Sequence, residues 1–409
     1  GNAAAAVTPA ERDAADPLAH CRARFRLPEG TIYLDGNSLG ALPAATPERL
    51  REVAEQQWGA DLIASWNRHG WTDWPRRIAA KLAPIVGAKP NELIIADSTS
   101  VCLFKALAAA LAVDPKRRTI LCRNEEFPTD RYVADGLAKL VPGASLFSAD
   151  GQALTDLLDD GTAALLLSHV DYRSGFRFDM RQYNDAAHCA GALTVWDLSH
   201  SAGAIAVDLN GSGCDLAVGC GYKFLNGGPG APAFLYVAEH LQDRLRSPIQ
   251  GWFGHAAPFD FAADYRPGPG IARFQSGTPP ILALAALECG LDTFAGVTMA
   301  AVEAKGRALA ALFIAEVERR CGIDLGAQRD RVSRGSHVVV PHPKGYAVMQ
   351  ALIARGVIGD FRPPDLMRFG FAPLYNCFVD AARAAEALGA VLASGEWDCP
   401  RFRERQPVP

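Results

Sequence analysis

Between residues 76 and 240 two kinds of apolar run alternate, and this alternation restricts the possible folds more than any other feature of the chain. Runs with helical spacing at 76–86, 101–112, 130–140, 152–158 and 181–190 are separated by short aliphatic runs at 92–96, 118–122, 144–148, 163–168 and 192–196. A strand that is followed by a helix returns to the same end of the sheet, so successive strands run parallel. The pattern therefore predicts an α/β fold, a mostly parallel sheet with helices on both faces. Ligands of such sheets sit beyond the carboxyl ends of the strands. The loops after Ala96, Cys122, Ser168, Val195 and Cys220 should then converge on one site.

The flanks read differently. Residues 1–30 form an alanine-rich, weakly patterned leader with a short helix around Pro17–Phe25, and no charged and apolar run of the secretory kind opens them. Thr31–Leu34 reads as a strand entering the polar turn Asp35–Gly40, and helical spacing covers 46–66. The adjoining loop holds Trp66, Trp71 and Trp74, either as a hydrophobic plug or as one wall of a substrate site. Beyond the Gly/Pro-rich stretch Tyr265–Pro280, helical spacing covers 281–320. Strand-like runs at Ser336–Val340, near Val357 and at Leu366–Phe371 then mix with helices at 344–355 and 380–394. The expected organisation is a leader (1–30), a large α/β domain (31–280) and a smaller C-terminal α+β domain (281–409).

With 45 acidic against 41 basic residues there is no basic excess for nucleic acid or an anionic membrane, and no apolar run is long enough to span a bilayer. A small molecule is the expected partner. The ten cysteines include no CxxC pair, so the chain reads as a cytoplasmic protein with reduced thiols and no metal.

Four stretches could carry chemistry. Cys214–Gly230, CDLAVGCGYKFLNGGPG, runs from a buried strand through Lys223 into a glycine-rich bend and a second strand. Burial disfavours an ammonium, and a lysine that loses its proton there can form a Schiff base. Asp97-Ser98-Thr99-Ser100 opens a helix whose free N–H groups suit an anion, or serves only as its cap. In the next strand-to-helix loop Phe127 could stack on a flat ring, and Asp130 could cap the helix or face a ligand. Asp197 ends a buried strand and needs a cation or donors, as a structural carboxylate or as the partner of a protonated pyridine. His200 stands three residues later, as a support for Asp197 or a core histidine. Together an anion-binding helix start, an aromatic loop residue, a strand-end aspartate and a strand-end lysine are what pyridoxal phosphate requires.

Four motifs extend this reading. Tyr33–Gly40 (YLDGNSLG), Gly221–Asn226 (GYKFLN), Gly251–His255 (GWFGH) and Ala372–Asn376 (APLYN) resemble the kynureninase family across nearly the whole chain. The resemblance implies a fold-type I pyridoxal phosphate enzyme that hydrolyses L-kynurenine, or its 3-hydroxy derivative, to anthranilate and L-alanine in tryptophan catabolism and NAD biosynthesis. It implies Lys223 as the cofactor lysine, Asp197 at the pyridine nitrogen with His200 beside it, and Phe127 stacked on the ring. Thr99, Ser100, Asp130, Ser168, Tyr222, Trp252 and Thr278 match its other cofactor positions, with Tyr222 also a proton relay. Some members have asparagine at the position of Thr278. Trp252 and Thr278 would reach the cofactor of a neighbouring subunit, which implies a homodimer with shared active sites. Arg368 matches the arginine for the amino-acid carboxylate, with Asn37, Ser38 and Trp71, or His69, nearby on the substrate side. A cysteine desulfurase or aminotransferase of the same fold, or a binding protein that kept it, is the alternative. A nicotinamide dehydrogenase would need a GxGxxG motif after its first strand, which is absent.

Overall fold

The computed structural model describes residues 7–150, 153–329 and 332–406. Its centre is a seven-stranded sheet made by β1 (Leu93–Ile95), β2 (Thr119–Arg123), β3 (Ser145–Ala149), β4 (Thr162–Ser168), β5 (Leu193–Asp197), β6 (Leu216–Gly219) and β7 (Phe234–Val237). The spatial order is β1-β7-β6-β5-β4-β2-β3. Pairs from β3 to β6 are parallel, and β7 alone runs antiparallel, between β6 and β1. Every residue of β4, β6 and β7 is buried, as their unbroken apolar runs require of strands covered on both faces.

A second sheet, β8 (His337–Pro341), β9 (Asp360–Arg362) and β10 (Leu366–Gly370), is antiparallel with β10 in the middle. The sequence pattern missed β9, whose three residues include two charged ones. A separate apolar core beneath this sheet joins Phe313, Val338, Phe369 and Leu388 and also takes in Leu34 from the other end of the chain. The strand expected at Thr31–Leu34 is short, Ile32–Tyr33, and pairs in parallel with Val357–Ile358.

Three expectations need correction. The helix read over 46–66 breaks up into Thr46–Glu52, a wider π-helical stretch Val53–Ala60, and short turns ending at Arg68, with Leu62 in a left-handed backbone conformation. The spacing over 281–320 is two helices, Ile281–Asp292 and Met299–Cys321, separated at Gly296 (φ +72°) and restarted by the Thr298 cap. The first packs in the large core and the second crosses to the smaller one. The helix expected at 152–158 begins on a residue outside those described, and its described part holds a single 3-10 turn, Thr155–Leu157.

The leader is tied down from Thr8 onward. A capping box at Thr8 and Glu11 starts the helix Pro9–Ala14. Asp13 then accepts the free backbone N–H groups of Phe378 and Val379 at the start of the helix Phe378–Ser394 (2.6 and 3.0 Å). Arg22 pairs with Asp380 at 2.7 Å, and Lys305 pairs with Asp16 at 2.7 Å with side chains only 7% and 3% exposed. Among the described residues no helix is long and apolar enough to cross a membrane.

Removing one member of a buried ion pair leaves the other charge without compensation. Lys305→Met should therefore cost about 3–5 kcal/mol of folding free energy, whereas Lys139→Met, at the exposed Lys139–Asp135 pair, should change it by less than about 1 kcal/mol. Urea denaturation of both variants measures the contrast.

Candidate active site

The three central strands end abreast. In the parallel register Ser168 lies opposite Asp197, and Asp197 opposite Val218, so the loops leaving β4, β5 and β6 open toward the same space. Lys223 stands four residues beyond β6. The Asp35–Gly40 turn is laid directly on the lysine segment: Gly40 N–H donates to the Tyr222 carbonyl at 2.8 Å, and a Cβ at Gly40 would collide with the Lys223 carbonyl oxygen. Only glycine fits there.

These loops enclose a cavity of about 220 Å³. Lys223, Tyr222, His200, Asp197, Ser168, Asp130, Phe127, Ser100 and Thr99 all line it, together with Thr129, Val170, Tyr172 and Ser199. The sequence-predicted residues from five separate loops thus meet in one place. The Lys223 ammonium lies 3.3 Å from His200 Nε2. Burial, and then the Lys223 charge, push His200 well below its usual range, so its neutral ring can accept a hydrogen bond from the amine.

The acidic end of the cavity is strained electrostatically. Asp197 Oδ1 accepts from the Ser199 backbone and hydroxyl at 2.9 and 2.6 Å. Asp130, 3% exposed, faces Asp197, and its Oδ2 has no partner. Burial first, and then the Asp197 carboxylate, push the Asp130 carboxyl well above its ordinary value. A cationic N–H donor between these two carboxyls would relieve both burdens, and a pyridinium nitrogen is such a donor. Beside them Glu126, 3% exposed, accepts from the backbone N–H groups of Phe127 and Ser168 and from the Ser168 hydroxyl. Ser98 caps the helix Thr99–Val113 and leaves its first N–H groups open to an anion. These features fit pyridoxal phosphate: a donor set for the phosphate, an aromatic face, an acid pair for the ring nitrogen and a lysine.

Arg368 lies in the buried middle strand β10, 1% exposed, so it is no surface arginine. Asp360 grips its Nε and Nη2 at 2.8 and 2.5 Å, and Nη1 donates to the Tyr172 carbonyl at 2.8 Å. Ser38 donates to Asp360 Oδ2 at 2.7 Å and stands 3.4 Å from Arg368 Nη2. Burial opposes the Asp360 charge, but Arg368 outweighs it and holds that carboxyl low. Burial and Asp360 push the nearby Asp35 up to about 7. Asn37 is fully buried against Gly370 with neither side-chain polar atom partnered. Tyr172 joins the two ends of the site, since its ring meets Phe127 edge-on at 5.1 Å while its carbonyl holds Arg368.

Arg368, Asn37 and Ser38 are not among the residues that line the cavity, and the remaining predicted positions lie apart from it too. Trp71 is buried, donates to Gln57 at 2.8 Å and packs edge-on against Trp66, while His69 pairs with Asp61 at 2.8 Å. Trp252 is 44% exposed and clusters with Phe259 and Phe261, and Thr278 is exposed at the edge of a separate depression. Sequence reasoning did not single out Tyr172, Glu126, Asp360 or His337. His337 is fully buried on β8 with its ring 5.5 Å from His200 and both nitrogens unpartnered. A histidine opening the apolar run Val338–Val340, and two charges in a run leading to Arg368, were the available signals.

Residues 302–388 match the kynureninase C-terminal domain family. The chain is 47% identical over 405 residues to a kynureninase from Pseudomonas fluorescens, covering 97% of each chain. It is 51% identical over 388 residues to a kynureninase from Deinococcus radiodurans, covering 93% of this chain and 94% of that one. Among solved structures an apo cysteine desulfurase from Thermococcus onnurineus NA1 superposes with a TM-score of 0.78 at 18% identity, covering 92% of this chain and 98% of that one. A cysteine desulfurase from Escherichia coli gives 0.76 at 19% identity, with 92% and 98% covered. At such identities the structural likeness establishes the shared architecture, which is the expected fold-type I one.

The acid pair has a measurable signature. The Asp130 pKa in the folded apoprotein lies above its unfolded value of about 3.9. Its contribution to stability is present in full below that pH and is lost as the pH rises toward the folded value. Asp130→Asn should therefore make the apoprotein more stable than wild type at pH 7 and reduce the difference at pH 4, as read by urea denaturation at the two pH values.

Proposed function

The chain belongs to the kynureninase family, and on that premise we propose that it hydrolyses L-kynurenine to anthranilate and L-alanine with pyridoxal phosphate bound in the Lys223 cavity. One observation carries the assignment of the site: the buried Asp130–Asp197 acid pair, with Asp130 Oδ2 unpartnered, and the Lys223–His200 pair line the same cavity. When bound, pyridoxal phosphate supplies an electrophilic carbon for amines and a protonated ring that accepts electrons from the amino-acid fragment. The chain's residues have the remaining tasks. Thr99 and Ser100, at the helix N-terminus, hold the phosphate, with Tyr222 as a further donor; burial pushes its hydroxyl up to about 12, so it keeps its proton at neutral pH. Phe127 supplies the stacking face, and Asp197 with Asp130 keeps the ring nitrogen protonated.

Lys223 is the proton carrier at the substrate α-carbon, and neutral His200, 3.3 Å away, orients its amine. Arg368 takes the substrate α-carboxylate on its Nη1/Nη2 edge, because Asp360 already occupies Nε and one side of Nη2. Water adds to the substrate ketone, and collapse of the hydrate breaks the carbon–carbon bond.

A desulfurase reading needs a reactive thiol. Cys377, the candidate nearest in sequence to the APLYN motif, caps the helix Phe378–Ser394, and burial and then Asp380 push its thiol up to about 11, so it stays protonated.

The reading includes a homodimer in a reducing, cytoplasmic setting, which suits ten free cysteines. Exposed Trp58, Leu62, Ile63, Phe259 and Phe261 (56–80% exposed) lie in the same two segments as Trp66 and Trp252 and are poorly suited to water. Burial against a second copy would cover them and carry Trp252 and Thr278 toward its cavity.

Purified protein given pyridoxal phosphate and L-kynurenine should release anthranilate, followed by its fluorescence. Lys223→Ala should release none above background. Arg368→Lys, which keeps the charge but loses the paired planar bonds, should lower kcat/KM by about tenfold or more, since charge-assisted bonds contribute roughly 1.5–3 kcal/mol. Wild-type protein inert toward kynurenine would defeat the assignment, and an undiminished Arg368→Lys would move the carboxylate site elsewhere. Light scattering should return twice the chain mass; a monomer would remove the shared-site arrangement.

A further inference from the structure

Lys105 takes no part in the site as described, yet it is the most deeply buried cation near it. It is 0% exposed in the apolar helix Thr99–Val113, and its ammonium donates to Asp97 Oδ2 and to the Phe274 carbonyl, both at 2.5 Å. Asp97 is 24% exposed, and an ion pair made by so deeply buried a lysine gives little net stability over apolar groups of the same volume, so its presence points to placement of the groups it joins.

Those groups are the two halves of the phosphate region. Asp97 stands directly before the Ser98 cap, at φ +54°, a left-handed conformation that a residue other than glycine keeps only when its surroundings hold it. On the other side, Phe274 leads into Ser276, whose hydroxyl lies 3.5 Å from Asp97 Oδ2 and whose carbonyl accepts from Phe253 N–H at 3.0 Å. A Cβ at Gly251 would collide with that carbonyl oxygen, so the strip Gly251–Phe253 lies flat on the strip Phe274–Thr278. The first strip carries Trp252 and the second ends at Thr278. One ammonium therefore anchors the Thr99–Ser100 turn, through Asp97, and both exposed residues proposed to serve the neighbouring subunit, through Phe274.

We propose that Lys105 is a positioning residue that locks the phosphate turn of its own cavity and the Trp252–Thr278 arm lent to the partner into one frame, so that cofactor is held in both cavities of a dimer in concert. This rests on the pyridoxal phosphate reading of the site. In the free energy of folding, the Lys105–Asp97 pair is exchangeable for a neutral pair; in cofactor binding it is not.

The test is titration of apoprotein with pyridoxal phosphate, followed by absorbance and tryptophan fluorescence, beside urea denaturation of the same apoproteins. Lys105→Met should weaken cofactor binding by about tenfold or more and lower stability, because the partly buried Asp97 loses its cation. Asp97→Asn, which keeps shape and one hydrogen bond, should weaken binding by about threefold or more and serves if Lys105→Met does not fold. The double variant Lys105→Met/Asp97→Asn should recover stability toward wild type while its cofactor affinity stays low. A double variant that recovers both would make Lys105 a merely structural ion pair and overturn the proposal, as would single variants with wild-type affinity. Wild-type apoprotein that takes up no pyridoxal phosphate would overturn the reading of the site itself, a result distinct from either.

Discussion

Parallel pairing of β4, β5 and β6 in one register is the constraint on which the site depends. Side chains alternate between the faces of a strand, so a slip of one residue in β5 would turn Asp197 away and present Trp196 in its place. The slip is blocked because Trp196 is itself fixed, fully buried with its indole N–H on Asn184 at 2.8 Å. The carboxylate that faces the cavity is thus held in place by an indole pointing the other way. The same logic applies at the next strand, where the wholly buried Leu216–Gly219 sets the point at which the chain must turn before Lys223.

Charge is sorted around the cavity. Two carboxyls, Asp130 and Asp197, line it with Glu126 bonded to Ser168 beside them, whereas Arg362 and Arg368 gather around Asp360 in the smaller sheet, outside the lining. Between them lie the amine of Lys223 and two neutral histidines, His200 and His337, both driven low by burial. A zwitterionic amino acid joined to a cationic aromatic ring would meet complementary charge at each end. Tyr172 spans the gap, and the turn that carries it is held by Asp171, which accepts from Arg173 and Ser174 N–H groups and pairs with buried Arg123 at 2.9 Å. Arg123 ends β2, so the turn that holds Arg368 through the Tyr172 carbonyl is tied to the central sheet by this ion pair.

Much of this was legible in the sequence because it depends on local pattern. Unbroken aliphatic runs gave the buried parallel strands, and the residues just beyond them, Ser168, Asp197 and Lys223, had to share one edge. Lys105, Asp360 and His337 were not legible. Each is a polar residue within an apolar run, and nothing local reveals that its partner is Phe274, Arg368 or the neighbourhood of His200. The anchoring of the leader was not legible for a related reason: an alanine-rich stretch with few large apolar side chains offers little pattern, and its anchors, Asp13 and Asp16, act through backbone N–H groups and a lysine about 290 to 370 positions away. The break at Gly296 is visible as a glycine, but the helical spacing on either side hides it.

The pairing of Ile32–Tyr33 with Val357–Ile358, and of Asp13 with the start of the helix at Phe378, also governs the order in which the molecule can be assembled. Asp13 finds its partner Phe378 across 365 positions of the chain. The central sheet, complete by Val237, can close while the chain is still growing, but Leu34 and the leader must wait, their apolar and acidic groups uncovered, until some 320 more residues have been made. The Asp35–Gly40 turn, laid across the Lys223 segment, is bordered by this late-closing strand. The turn is therefore fixed against Lys223 only after Val357–Ile358 has been made.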